Sequence, residues 1–120
     1  MSSRPSSAIT VQVSVVDGQV QVDPAVLPVQ GEHRTLEFQL VTLGYSFPTL
    51  GAIVIEGGHK SQFPQPPVWV DARTVTLLDR NSNRQPRSYR YTVVVLDALG
   101  RRRTLDPTID NEGRPMLVAG

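Results

Sequence analysis

The chain has 120 residues, 12 lysines and arginines against 11 aspartates and glutamates, and a formal net charge of +1, a size that one compact domain fills without a disulfide or metal staple. Cysteine is absent, which excludes thiolate nucleophiles, disulfides, iron–sulfur clusters and cysteine-based zinc sites. Ten prolines and nine glycines put many turns, and therefore many short elements, into a short chain.

Residues 1–7, "MSSRPSS", are small and polar and predict a disordered N-terminal tail. The following "ITVQVSVVDGQVQVDP" alternates apolar and polar residues, the pattern of a strand and not of a signal peptide. Asp17-Gly18 interrupts the alternation with the residue pair that a tight hairpin turn demands. A strand follows in "TLEFQLV", with Leu36, Phe38 and Leu40 on one face. "GYSFPTLG" breaks regularity before "AIVIE" (52–56), another extended run. The connection "GGHKSQFPQPP" is stiffened by Pro64, Pro66 and Pro67. "VWV" and then "TVTLLD", with Val75 and Leu77 facing inward, extend again. After the loop "RNSNRQPR", "SYRYTVVVLDALG" is the strongest strand: Tyr89, Tyr91, Val93 and Val95 form one apolar face, and Val94 and Leu96 make the other apolar too. "RRRTLDP" reads as its hairpin partner, and residues 114–120 as a C-terminal tail or short end strand. No segment shows helical periodicity, and no apolar run nears the roughly 18 residues of a membrane helix. The expectation is an all-β, two-sheet antiparallel sandwich of about seven strands over residues 8–113, immunoglobulin-like, soluble and cytoplasmic.

The pair "TVTLLD" and "SYRYTVVVLDALG" resembles the corner of immunoglobulin-like and fibronectin-type sandwiches, and that resemblance implies Tyr89 or Tyr91 as the tyrosine that ties the corner. More of the chain, in the order "VQVDPAVLPV", "TLEFQL", "GYSFPTLGAIVIE", "SQFPQPP", "TVTLLDRN", "YRYTVVV" and "DPTIDNE", resembles small bacterial proteins of the DP-EP family. That resemblance implies the sandwich and no particular activity. A cupredoxin-like sandwich is similar too, but blue copper needs a thiolate that this chain lacks.

Two stretches are rich in oxygen ligands. "TLDPTIDNEG" holds Asp106, Asp110, Asn111 and Glu112, but Pro107 and Ile109 stand where a calcium loop needs ligands, so the reading is a strand ending at Asp106 followed by a turn. "DRNSNR" imitates an EF-hand loop with Asp79, Asn81 and Asn83, then places Arg84 at the glycine position and Arg90 at the terminal glutamate position; it too reads as a turn. His33 and His59 have no metal-ligand spacing, and no Gly-x-Ser-x-Gly elbow or phosphate-cradling glycine loop occurs. Arg80, Arg84 and Arg87 precede the long strand and Arg101, Arg102 and Arg103 follow it; a strand of that length spans about 30 Å, which separates the two groups and argues against a nucleic-acid groove.

No catalytic residue, metal or cofactor is nominated. The expected role is surface contact with a protein partner or self-association, through Phe63 and Trp69 flanking the proline-rich connection and through Val94 and Leu96. The alternative is a carbohydrate- or cation-binding module built from Tyr45, Phe47, Phe63, Trp69 and the acids Asp106, Asp110 and Glu112.

Overall fold

A computed structural model describes residues 8–113; the two tails expected at 1–7 and 114–120 lie outside the described residues. Ten strands occur in chain order: β1 Ile9–Val16, β2 Gln19–Asp23, β3 Val26–Val29, β4 Arg34–Leu40, β5 Ile53–Ile55, β6 Val68–Asp71, β7 Thr74–Asp79, β8 Arg87–Leu96, β9 Arg102–Leu105 and β10 Thr108–Asn111. One sheet has the order β2-β1-β4-β7-β6, and the other β3-β10-β8-β5, with β9 beside the second half of β8.

Alternation decides which side of each strand is buried. Val11, Val13 and Val15 of β1, Val20 and Val22 of β2, Leu36, Phe38 and Leu40 of β4, and Val75 and Leu77 of β7 all enter the core from the first sheet. Leu27, Val29, Ile53, Tyr89, Tyr91, Val93, Val95 and Ile109 meet them from the second. Burial of these aliphatic and aromatic surfaces is the main force holding the two layers together. Phe38 and Tyr91 pack at 5.5 Å between ring centres across the sandwich, and Phe63 meets Tyr89 edge-on at 5.2 Å. The β1–β2 turn forms where expected: Asp17 and Gly18 have φ of 51° and 75°, the paired left-handed conformation of a type I′ hairpin.

The all-β sandwich expected from sequence is the fold, with two corrections. The described residues form ten strands instead of about seven, and both sheets are mixed: β1 runs parallel to β4, and β3 parallel to β10. β3 hides behind Asp23-Pro24 and carries Pro28 within it, which a strand at the sheet edge tolerates. β10 occupies "TIDN", expected as a turn. Pro107 interrupts the chain after β9, yet its carbonyl still accepts from the Tyr91 N–H at 3.0 Å, so the pairing with β8 resumes at Thr108. Of the two tyrosines offered for the corner, Tyr91 does not tie it. The Tyr91 hydroxyl is buried with no hydrogen-bond partner, and burial raises its pKa.

Candidate docking surface

The side of the sandwich bounded by β5 and β6, each at the edge of its sheet, exposes Val54, Val68, Trp69 and Val70. β6 is short, bulged between Trp69 and Asp71, and preceded by Pro66 and Pro67. Its four side chains are all exposed, and three in succession are apolar: Val68 at 55%, Trp69 at 39% and Val70 at 54%. A strand with one buried face shows alternation; β6 shows none because the sheet ends there and nothing covers its outer side. The indole N–H of Trp69 donates to the Phe47 carbonyl at 3.2 Å, which fixes the ring against the loop that carries Leu50, itself 87% exposed.

Beside β6 lies a groove of about 450 Å³. It is lined by Ile53, Val54 and Ile55 of β5, by Pro64, Pro66 and Pro67, and by the buried Phe63 and Leu77. Lys60 is the one charged residue that lines it, and it has no ion-pair partner among the described residues. The prolines rigidify this lining, because their φ is fixed and they offer no N–H to a neighbouring strand. A smaller hollow of about 80 Å³, between Pro66, Pro67, Trp69 and the 48–52 loop, continues the groove toward β6.

The residues nominated from sequence separate on this surface. Phe63 is 4% exposed and Val94 2% exposed: Phe63 is buried beneath the groove it lines, and Val94 is enclosed within the fold. Val94 lies outside the main core cluster, consistent with its place on the opposite face of β8 from Val93 and Val95. Leu96 is half-buried, and Trp69 is the nominated residue that stands at the surface. Among the aromatics of the alternative ligand site, Tyr45 packs partly buried against the core and Phe47 is buried. The acids do not join them. Asp106 accepts from the Thr92 hydroxyl at 2.7 Å and Asp110 from the Ser88 hydroxyl, while Asp110 and Glu112 line a different hollow with Arg87 and Pro28.

The arginines flank β8 at its two ends, as expected. Arg101 and Arg103 are drawn to Asp97, at 2.9 and 3.6 Å. Backbone bonding from Arg101, ahead of that residue's side-chain bond and charge, holds the Asp97 carboxyl below its ordinary pKa. His59 stacks edge-on against Tyr89 at 4.9 Å, and no group of three or more histidine, cysteine or acidic side chains placed to hold a metal occurs among the described residues. No helix among them is long and apolar enough to cross a membrane.

Sequence reading missed one constellation altogether. Asp79, from "DRNSNR", and Asn111, from "DPTIDNEG", meet in the interior: Asn111 Nδ2 donates to Asp79 Oδ1 at 2.8 Å. Asn81 is buried with them, giving its Nδ2 to the carbonyls of Val29 and Gly31 and receiving the Gly113 N–H at its Oδ1. The signal was positional. Asp79 continues the inward parity of Val75 and Leu77, and Asn111 that of Ile109, so each polar side chain had to find an interior partner. No protein-family model matches this chain, and no curated protein matches it in sequence.

Proposed function

We propose that the domain is a non-catalytic interaction module that binds an extended, acid-bearing segment of a partner protein along β6 and the neighbouring proline-walled groove. The observation that carries this reading is the run of three exposed apolar residues on an edge strand, continuous with an apolar groove whose single charge, Lys60, has no ion-pair partner among the described residues. A free strand edge offers backbone N–H and C=O groups that another strand can pair with. Trp69 supplies a rigid aromatic anchor, the residue type that most often dominates such contacts. Lys60 gives the groove a preference for carboxylates, through complementarity that acts chiefly on specificity and encounter rate. The bulge and the two prolines keep the edge short, which limits indiscriminate strand addition.

Trp69 is the chain's one tryptophan, so its fluorescence reports directly on this surface. Short extended apolar peptides, with and without a carboxylate, are titrated against the protein. Binding is expected to shift Trp69 emission, to favour the acid-bearing peptides and to weaken in Lys60→Glu. Peptides that bind without moving the emission, or a panel in which none binds, would refute the reading. Sedimentation across protein concentration separates it from self-association through the same edge.

A further inference from the structure

We infer that in mildly acid solution Asp79 carries a proton on Oδ2 and donates it to Asn111 Oδ1, so that an acid–amide pair with two hydrogen bonds fastens β7 of one sheet to β10 of the other. Asp79 is fully buried and Asn111 is 1% exposed. Asp79 Oδ1 is saturated, accepting the Asn81 N–H at 2.9 Å and Asn111 Nδ2 at 2.8 Å. The atoms left without a partner are the other halves of the same two planar groups, Asp79 Oδ2 and Asn111 Oδ1. The Asn111 amide cannot be turned over to relieve this, because Asp79 Oδ1 and Asn83 Oδ1, the groups in front of its Nδ2, both accept. With Asp79 ionised, two buried acceptors are left without a donor, an arrangement that protein interiors seldom keep. One proton on Oδ2, taken from solvent, satisfies both.

Among the described residues no cationic group is bonded to Asp79 Oδ2. Arg34 stands opposite Asp79 on β4, but its Nη1 donates to the Gln30 carbonyl. Glu32 and His33 precede it, and the His33 N–H donates to the carbonyl of Arg80, the next residue along from Asp79. From β8 come Arg87 and Tyr89, the guanidinium lying 5.3 Å from the centre of the tyrosine ring; from β10 and just beyond come Asp110 and Glu112; and His59 lies against Tyr89. Burial outweighs the bonds from Asn111 and Asn81 and raises the Asp79 pKa to about 6, the direction the proton placement requires. The fastener also governs the chain that follows, since Asn81 holds the Gly113 N–H beside it.

Two measurements test the inference. In a carbon-13 titration of the intact protein, the Asp79 carboxyl is expected to change state at about pH 6; a midpoint in the ordinary carboxylate range near 4 would overturn it. Asp79→Asn keeps both bonds, since an amide donates to Asn111 Oδ1 where the acid did. It is therefore expected to melt at or above the parent's midpoint at neutral pH and to lose the parent's rise in midpoint on acidification toward pH 5. His33→Gln and His59→Gln, made in both backgrounds, serve as controls that leave Asp79 the group under test. A lower midpoint for Asp79→Asn at every pH would mean that the fold uses the carboxylate, and would sink the proposal. Should that variant fail to fold, the titration of the unmodified chain still decides.

Discussion

Asn111 and Asp79 lie 32 positions apart in sequence and on different sheets, yet the bond from Asn111 Nδ2 to Asp79 Oδ1 is 2.8 Å long and wholly buried. Around it, Asn81 reaches the carbonyls of Val29 and Gly31. The ends of β3, β7 and β10 therefore share one buried polar junction. Such junctions are costly when partly satisfied and rigid when complete.

Stability is expected to peak in mildly acid solution. The folded-state pKa of Asp79, about 6, lies above its ordinary 3.8, so its contribution is full below the lower value and is lost as pH rises through the higher one. The gap corresponds to about 3 kcal/mol at most. Asp97 works in the opposite sense: its carboxyl is held below the ordinary value by bonding from Arg101, so its contribution is present above that value and fades as pH falls through the lowered one. Melting midpoints measured across pH should therefore be highest between about 4 and 6. A midpoint that climbs steadily toward pH 8 would contradict this assignment.

Tyr91→Phe is expected to stabilise the protein by about 1 kcal/mol, because it deletes a buried hydroxyl that has no partner. The ring contact with Phe38 is retained. Urea denaturation with an unchanged slope reads the difference. A loss of stability would show that the hydroxyl is bonded, for instance to an internal water.

Val70→Lys is expected to leave stability within about 0.5 kcal/mol, as for most exposed positions, since Val70 is 54% exposed at the bulge of an edge strand. Its effect should fall on contact instead. A charge at a strand edge discourages the addition of another strand, so peptide binding read by Trp69 should weaken at least tenfold while the melting midpoint holds. A midpoint that falls with binding would assign Val70 to the fold and not to the surface.

The legibility of the sequence divides along the range of the interactions. Val11, Val13 and Val15, Leu36, Phe38 and Leu40, and Val75 and Leu77 reveal their buried side because period two is a local property. Asp17-Gly18 is legible for the same reason, its turn being set by two residues. β10 is not, because Asp, Asn and Gly nearby carry turn propensity while its strand state comes from β3 and β8, both remote in sequence. The apolar surface is half-legible. "FPQPPVWV" marks its place, but which ring turns inward depends on what lies beneath, and Phe63 is the one taken into the core against Tyr89.

Glycine substitutions separate backbone strain from close packing. Gly44 has φ +85° with nothing within 4 Å of where a Cβ would stand, whereas at Gly113, with φ +82°, a Cβ would lie 2.5 Å from the Asn83 carbonyl oxygen. Both alanine variants incur the left-handed conformation, about 1–2 kcal/mol. Gly113→Ala must also displace backbone that borders the Asp79–Asn111 junction, which adds roughly 1–3 kcal/mol. It should lose the Gly113 N–H bond to Asn81 Oδ1 as well. Gly113→Ala is therefore expected to melt well below Gly44→Ala, and to weaken protection of the Glu112 amide, which donates to the Val29 carbonyl at 3.0 Å. Equal midpoints for the two variants would mean that the chain at Gly113 yields freely, and that the junction does not hold the end of β10.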